Sequence, residues 1–121
     1  GHPKVFVRTA NDGKVVPIML PNSDNDNSGG LVGISGLAPS FKVIGFNLRP
    51  GDAMLIYTDC LYESRNIEGE EMTQDGVQKM FSNVTGVTAN DKLKDVLNQF
   101  NSFTKGVPLR DDLTVIVVQK K

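Results

Sequence analysis

The sequence has little of what most metal-binding and redox chemistries use. One histidine, His2, and one cysteine, Cys60, stand among 121 residues, and there is no tryptophan. A single cysteine excludes an internal disulfide, and no Cys/His cluster has zinc-ligand spacing. That usage suits a reducing, cytoplasmic compartment. A basic excess is missing too: 13 Lys and Arg against 14 Asp and Glu give a formal net charge of -1. Nucleic acid and anionic membranes are therefore not expected as partners. The longest apolar runs, 53–57 and 115–118, fall far short of the ~20 residues that span a bilayer. The N-terminus carries no signal-peptide pattern, and there is no internal repeat or coiled-coil heptad.

What is present reads as one globular domain, or part of one, of α+β class. Val5 to Arg8 is β-branched and aromatic, and Asn11, Asp12 and Gly13 turn the chain into a second strand, Val15 to Leu20. Pro17 places that strand at a sheet edge or shortens it. Residues 21–30 are rich in Asn, Asp, Ser and Gly and read as a loop. Phe41 to Leu48 returns to strand character. After the turn Arg49, Pro50, Gly51, Asp52, the unbroken apolar run Ala53 to Thr58 predicts a strand covered on both faces. Two helices are expected next. Val77, Met80, Phe81 and Val84 share a stripe with Thr73 as cap; Leu93, Val96, Leu97 and Phe100 share another, with Thr88 and Asp91 in a capping-box arrangement. The strand Leu113 to Val118 closes an antiparallel sheet meander.

Two carboxylate positions have the same form. Asp59 ends one buried-type strand, and Asp111 with Asp112 immediately precedes another, which places anionic oxygens at the rim of a sheet. Such groups are costly unless paired or bound to a cation, and hard oxygen ligands without histidine suit Mg²⁺ or Mn²⁺. The alternative is local: Asp59 caps a turn, and Asp111 or Asp112 caps a loop.

The residues around these aspartates resemble a known family. Gly51-Asp52, Tyr57-Thr58-Asp59, Glu63, Arg65-Asn66 and Gly69-Glu70 follow the stretch G-D-x-x-x-x-Y-T-D-G-x-x-E-x-R-N-x-x-G-E. Gly1-His2-Pro3 is similar to an A-G-H-P segment, Gly30 to Ile34 to G-x-x-L-G-[IL], and Asp111 to Thr114 to D-D-[IL]-T. Together they resemble the SpoIIE-type and RsbU-type phosphatases, bacterial members of the protein phosphatase 2C-like (PPM) family. His2 also has a reading as a tag remnant.

The resemblance implies part of a PPM-type α-β-β-α sandwich and a metal-dependent serine/threonine protein phosphatase. Asp59 and Asp111 match its metal ligands, for two Mn²⁺ or Mg²⁺ ions in the intact domain, and a metal-activated water attacks phosphorus without a phosphoenzyme. Asp112 then orients the site, Glu63, Arg65 and Asn66 form a polar cluster behind Asp59, and Arg110 meets either a phosphate or a surface carboxylate. Cys60 stands where the family has glycine, as a tolerated small hydrophobe, as the mark of altered activity or metal preference, or as a redox-sensitive thiol. The implied partner is a phosphorylated regulatory protein, such as a STAS-type anti-sigma-factor antagonist, with a sensor domain upstream in the parent chain. The family's first metal-binding motif, D-x-x-G-H/M-G, is not found, so residues 1–121 read as the C-terminal portion of one phosphatase domain. Weak or absent activity of this chain alone and self-association through an uncovered sheet face are expected. The competing reading is a catalytically inactive phosphatase-like binding module.

Overall fold

Alternation along short strands builds the sheet, and two amphipathic helices cover one side of it. The computed structural model describes residues 3–18 and 44–121. In chain order these form β1 (Phe6–Arg8), β2 (Val15–Pro17), β3 (Ala53–Tyr57), α1 (Asp59–Glu63), α2 (Thr73–Ser82), α3 (Ala89–Thr104) and β4 (Val115–Gln119). The sheet is antiparallel throughout, in the order β2-β1-β3-β4. β1 and β2 are the expected hairpin, and β2 lies at the edge, where Pro17 withholds no needed donor. The expected loop at 21–30 and the family-like segment 30–34 lie outside the described residues.

Register sorts the side chains into two faces. Phe6 stands opposite Leu55, Leu55 opposite Val117, and Tyr57 opposite Val115. With Val15 and Ala53 these residues turn inward against Val77, Met80, Phe81, Val84, Val96 and Phe100 from the helical layer. Tyr57 stacks on Phe6 at 6.2 Å between ring centroids and meets Tyr62 edge-on at 6.3 Å. On the other face lie Val7, Val16, Met54, Ile56, Ile116 and Val118. β3 therefore departs from the expectation of cover on both faces: Ala53, Leu55 and Tyr57 are buried while Met54 and Ile56 are only half-buried. The reason is that α2 and α3 both pack on the same side of the sheet.

A second departure precedes β3. Of the strand expected over Phe41 to Leu48, residues 41–43 lie outside the described residues and 44–48 form no strand. Just beyond it, the Arg49 amide donates to the Asp52 carboxylate, 2.9 Å away, closing the turn into β3.

Local chemistry sets the helix ends. Thr88 and Asp91 form a complete capping box at the start of α3, as the sequence pattern predicts. Thr73, the first residue of α2, accepts a hydrogen bond from the Gly76 amide at 3.2 Å with φ of 65°, a left-handed conformation costly for a β-branched residue. Between the helices Asp95 receives the amides of Thr85 and Gly86 at 2.9 and 2.8 Å. Those bonds hold the Asp95 carboxyl below the usual carboxylate range. Gly86 is required there, since a Cβ on it would come within 2.7 Å of the Asp91 backbone carbon.

Two buried charges also fix the frame. Lys92, 4% exposed, crosses from α3 to donate to the Val87 carbonyl at 2.9 Å and the Gln119 side chain at 2.8 Å. Desolvation, with the nearby Arg8 charge, pulls its pKa down. Asp52 accepts from the amides of Ala10 at 2.8 Å and Arg49 at 2.9 Å, tying the β1–β2 hairpin to the start of β3.

Candidate functional site

The pairing of β3 with β4 decides where the two singled-out carboxylates go. Tyr57, the last residue of β3, stands opposite Val115, the first of β4. Asp59 follows the one strand and Asp111 precedes the other, so antiparallel pairing delivers both to the same end of the sheet. The polypeptide then stays paired past the strand ends, with the Thr58 amide donating to the Thr114 carbonyl at 3.0 Å.

Asp59 opens α1, a single helical turn that the sequence reading did not anticipate. Its side chain is exposed, and among the described residues it holds no hydrogen bond or ion pair. The turn-capping alternative therefore fails for Asp59. It holds in part for Asp111, whose Oδ1 accepts from the Asp112 amide at 2.7 Å. Asp112 contributes its backbone here: its amide goes to Asp111, and its carbonyl accepts from the Thr58 hydroxyl at 3.3 Å.

Cys60 is 4% exposed, and its thiol donates to the Asp111 carbonyl at 3.3 Å. It lies inside α1 and is absent from the positive-φ residues. The backbone at this position therefore has no need of glycine, which explains how a residue with a Cβ is accommodated.

The remaining predicted residues separate. Arg65 donates to the Gly69 carbonyl at 2.7 Å and pairs with Glu71 at 3.6 Å. Asn66 accepts the amides of Glu68 at 3.0 Å and Glu70 at 2.9 Å, closing the excursion between α1 and α2. Arg65 and Asn66 thus shape their own loop and make no bond to Asp59, while Glu63 takes no part in that network. His2 lies outside the described residues. A cleft of about 280 Å³ beside the site is lined by Cys60, Glu63, Arg65, Pro108, Arg110 and Asp111, among others. Among the described residues Arg110 and Glu63 make no hydrogen bond or ion pair, so both side chains face the cleft uncommitted.

For a hard divalent cation, the donor set fits in kind and falls short in number. Asp59 offers a free carboxylate and Asp111 one with lone pairs to spare, both at one sheet end. Among the described residues no group of three His, Cys, Asp or Glu side chains gathers to hold a metal ion. The two aspartates suffice as two donors of a site that water and other residues complete. Sequence reasoning missed the contribution of Thr58, whose hydroxyl, on the extension of β3, bonds residues 112 and 114 ahead of β4. Its position beside Asp59 in the T-D motif was the available signal.

Comparison with known proteins bears on the family and the fold. The family of stage II sporulation protein E (SpoIIE) matches residues 1–121. No curated protein matches the sequence significantly. Among solved structures, the phosphatase domain of the cell fate determinant SpoIIE from Bacillus subtilis, presoaked with Mn, superposes with a TM-score of 0.66 at 15% identity. That match takes in 100% of this chain and 48% of the other. The SiaA-PP2C domain of Pseudomonas aeruginosa gives a TM-score of 0.68 at 14% identity, over 98% of this chain and 43% of that one. At such identities the likeness shows the fold, an α+β phosphatase-domain architecture, and the chain spans less than half the length of either structure. No helix among the described residues is long and apolar enough to cross a membrane. With its whole length matched and its sheet and helices superposed, the chain belongs to the SpoIIE family of PPM-type protein phosphatase domains.

Proposed function

We propose that this chain is the C-terminal portion of a metal-dependent serine/threonine phosphatase domain, with Asp59 and Asp111 as two of its metal ligands. The observation that carries the reading is the delivery of both carboxylates to one end of β3 and β4, with Asp59 uncommitted. Bound there, Mn²⁺ or Mg²⁺ would supply an acidic water for attack on phosphorus and would neutralise the phosphoryl oxygens. This chain's own residues do the placing. Asp59 stands on a turn anchored by buried Leu61, and Asp111 stands on a segment tied to Thr58 and Cys60. The cleft lined by Arg110 and Glu63 beside Asp111 supports a reading in which it receives the polypeptide around a phosphorylated serine or threonine.

The substrate is a phosphorylated regulatory protein, of the STAS-type antagonist class that the family resemblance suggests, in a cytoplasmic setting and with a sensor domain upstream. In a parent polypeptide with the complete domain, Mn²⁺-dependent phosphate release from such a protein is expected, and Asp59→Asn abolishes it. Activity that survives the substitution removes Asp59 from the metal site. Two carboxylates cannot satisfy two cations of about six ligands each, so the 121 residues alone are expected to hydrolyse p-nitrophenyl phosphate weakly or not at all. The second reading, a binding module without catalysis, draws on Cys60 in place of glycine. Phosphate release by the complete domain excludes it.

A further inference from the structure

We propose that Thr58 and Cys60, the residues on either side of Asp59, are positioning residues that clamp the Asp111 segment against Asp59; the link to metal binding rests on the ligand reading above. The regular ladder ends at Tyr57 and Val115. One more rung forms through the backbone, from the Thr58 amide to the Thr114 carbonyl. The reciprocal rung is then supplied by a side chain: the Thr114 amide donates to the Thr58 hydroxyl at 3.0 Å. The same hydroxyl has the Asp112 carbonyl at 3.3 Å and the Thr114 carbonyl at 3.5 Å as acceptors for its proton. Two residues on, the Cys60 thiol takes the Asp111 carbonyl.

Each neighbour of Asp59 thus holds one carbonyl of the Asp111-Asp112 pair, and the bond from the Asp112 amide to Asp111 Oδ1 carries that constraint to the carboxylate. Glycine at position 60 has no side chain with which to reach the Asp111 carbonyl. The cysteine therefore adds a tie that the family's T-D-G pattern lacks. Groups that orient metal ligands typically change affinity by about 10–100-fold when removed.

The test uses the parent polypeptide with its complete domain and Mn²⁺ alone as the probe. Thr58→Val keeps the shape and removes the hydroxyl's bonds; it is expected to weaken Mn²⁺ binding by about tenfold or more, while Thr58→Ser stays within about threefold of the parent. Cys60→Gly, although it restores the family residue, is expected to weaken binding by about threefold or more, and Cys60→Ser restores it. Metal-free amide hydrogen exchange is the second readout, with Thr114 exchanging faster in Thr58→Val and slowly in Thr58→Ser. Unchanged Mn²⁺ affinity in both Thr58→Val and Cys60→Gly overturns the proposal, as does unchanged protection of the Thr114 amide. If the parent binds no Mn²⁺, the ligand reading fails, and exchange at Thr114 alone upholds or overturns the clamp. Should Thr58→Val fail to fold, the Cys60→Gly and Cys60→Ser pair decides.

Discussion

The two faces of the sheet are built from the same kinds of residue and live in different surroundings. Leu55 and Ala53 are fully buried under α2 and α3, whereas Ile116 and Val118 on the opposite face are 47% and 41% exposed. Val16, Val7, Met54 and Val118 stand side by side in register across all four strands. Isolated exposed apolar residues are ordinary, but a contiguous band across a sheet marks a surface that other polypeptide covers. One face therefore carries the stability of this chain, and the other is left partly open among the described residues.

The largest expected effect tests the covered face. Phe81→Ala removes a fully buried ring and is expected to cost about 3–5 kcal/mol in urea unfolding; a loss below about 1 kcal/mol would mean that the helices do not seal this face. Next comes the tie at the start of β3. Asp52→Ala strands the amides of Ala10 and Arg49 and is expected to cost about 2 kcal/mol.

Asp52 also has a pH signature. Its two amide donors, Ala10 first, hold the carboxyl below its ordinary value. A depressed folded pKa makes the contribution full above the unfolded value of about 3.9 and lost as pH falls through the folded one. The stability gap between parent and Asp52→Asn should therefore narrow as pH drops from about 5 to about 3. A constant gap would assign the effect to something other than the carboxylate.

The smallest stability effect belongs to the partly exposed face. We propose that this face drives self-association of the isolated chain. The pair Ile116→Ser and Val118→Ser is expected to change monomer stability by only about 0.5 kcal/mol per site, yet to shift light scattering toward monomer. A parent chain already monodisperse as monomer at high concentration would end the comparison.

What the sequence showed plainly was local. The Thr88 and Asp91 capping box and the Val77-Met80-Phe81 stripe each lie within a few residues, and both form. Pro17 announced an edge strand by the donor it lacks. Less visible was whatever depends on distant partners. Lys92 sits in line with Val96 and Phe100, but its burial rests on Gln119, 27 residues away. Asp52 looked like a turn residue because its partner Ala10 is 42 positions upstream. α1 has five residues, too few for a periodic stripe. At the candidate site the two aspartates were readable as strand-end carboxylates, while the bonds of Thr58 and Cys60 to the 111–114 segment follow from pairing that no spacing reveals.

The β3–β4 register is, in effect, the ruler by which the site is measured out. Each residue along a strand advances the chain by about 3.3 Å and reverses the side-chain face. A slip of one position between Leu55 and Val117 would carry Asp111 that far from its place beside Asp59 and turn β4's inner residues outward. Packing at Val117, two residues inside the end of the β3–β4 ladder, is thus a tolerance limit on the proposed chemistry. A core change there can detune the proposed metal site without touching either candidate ligand.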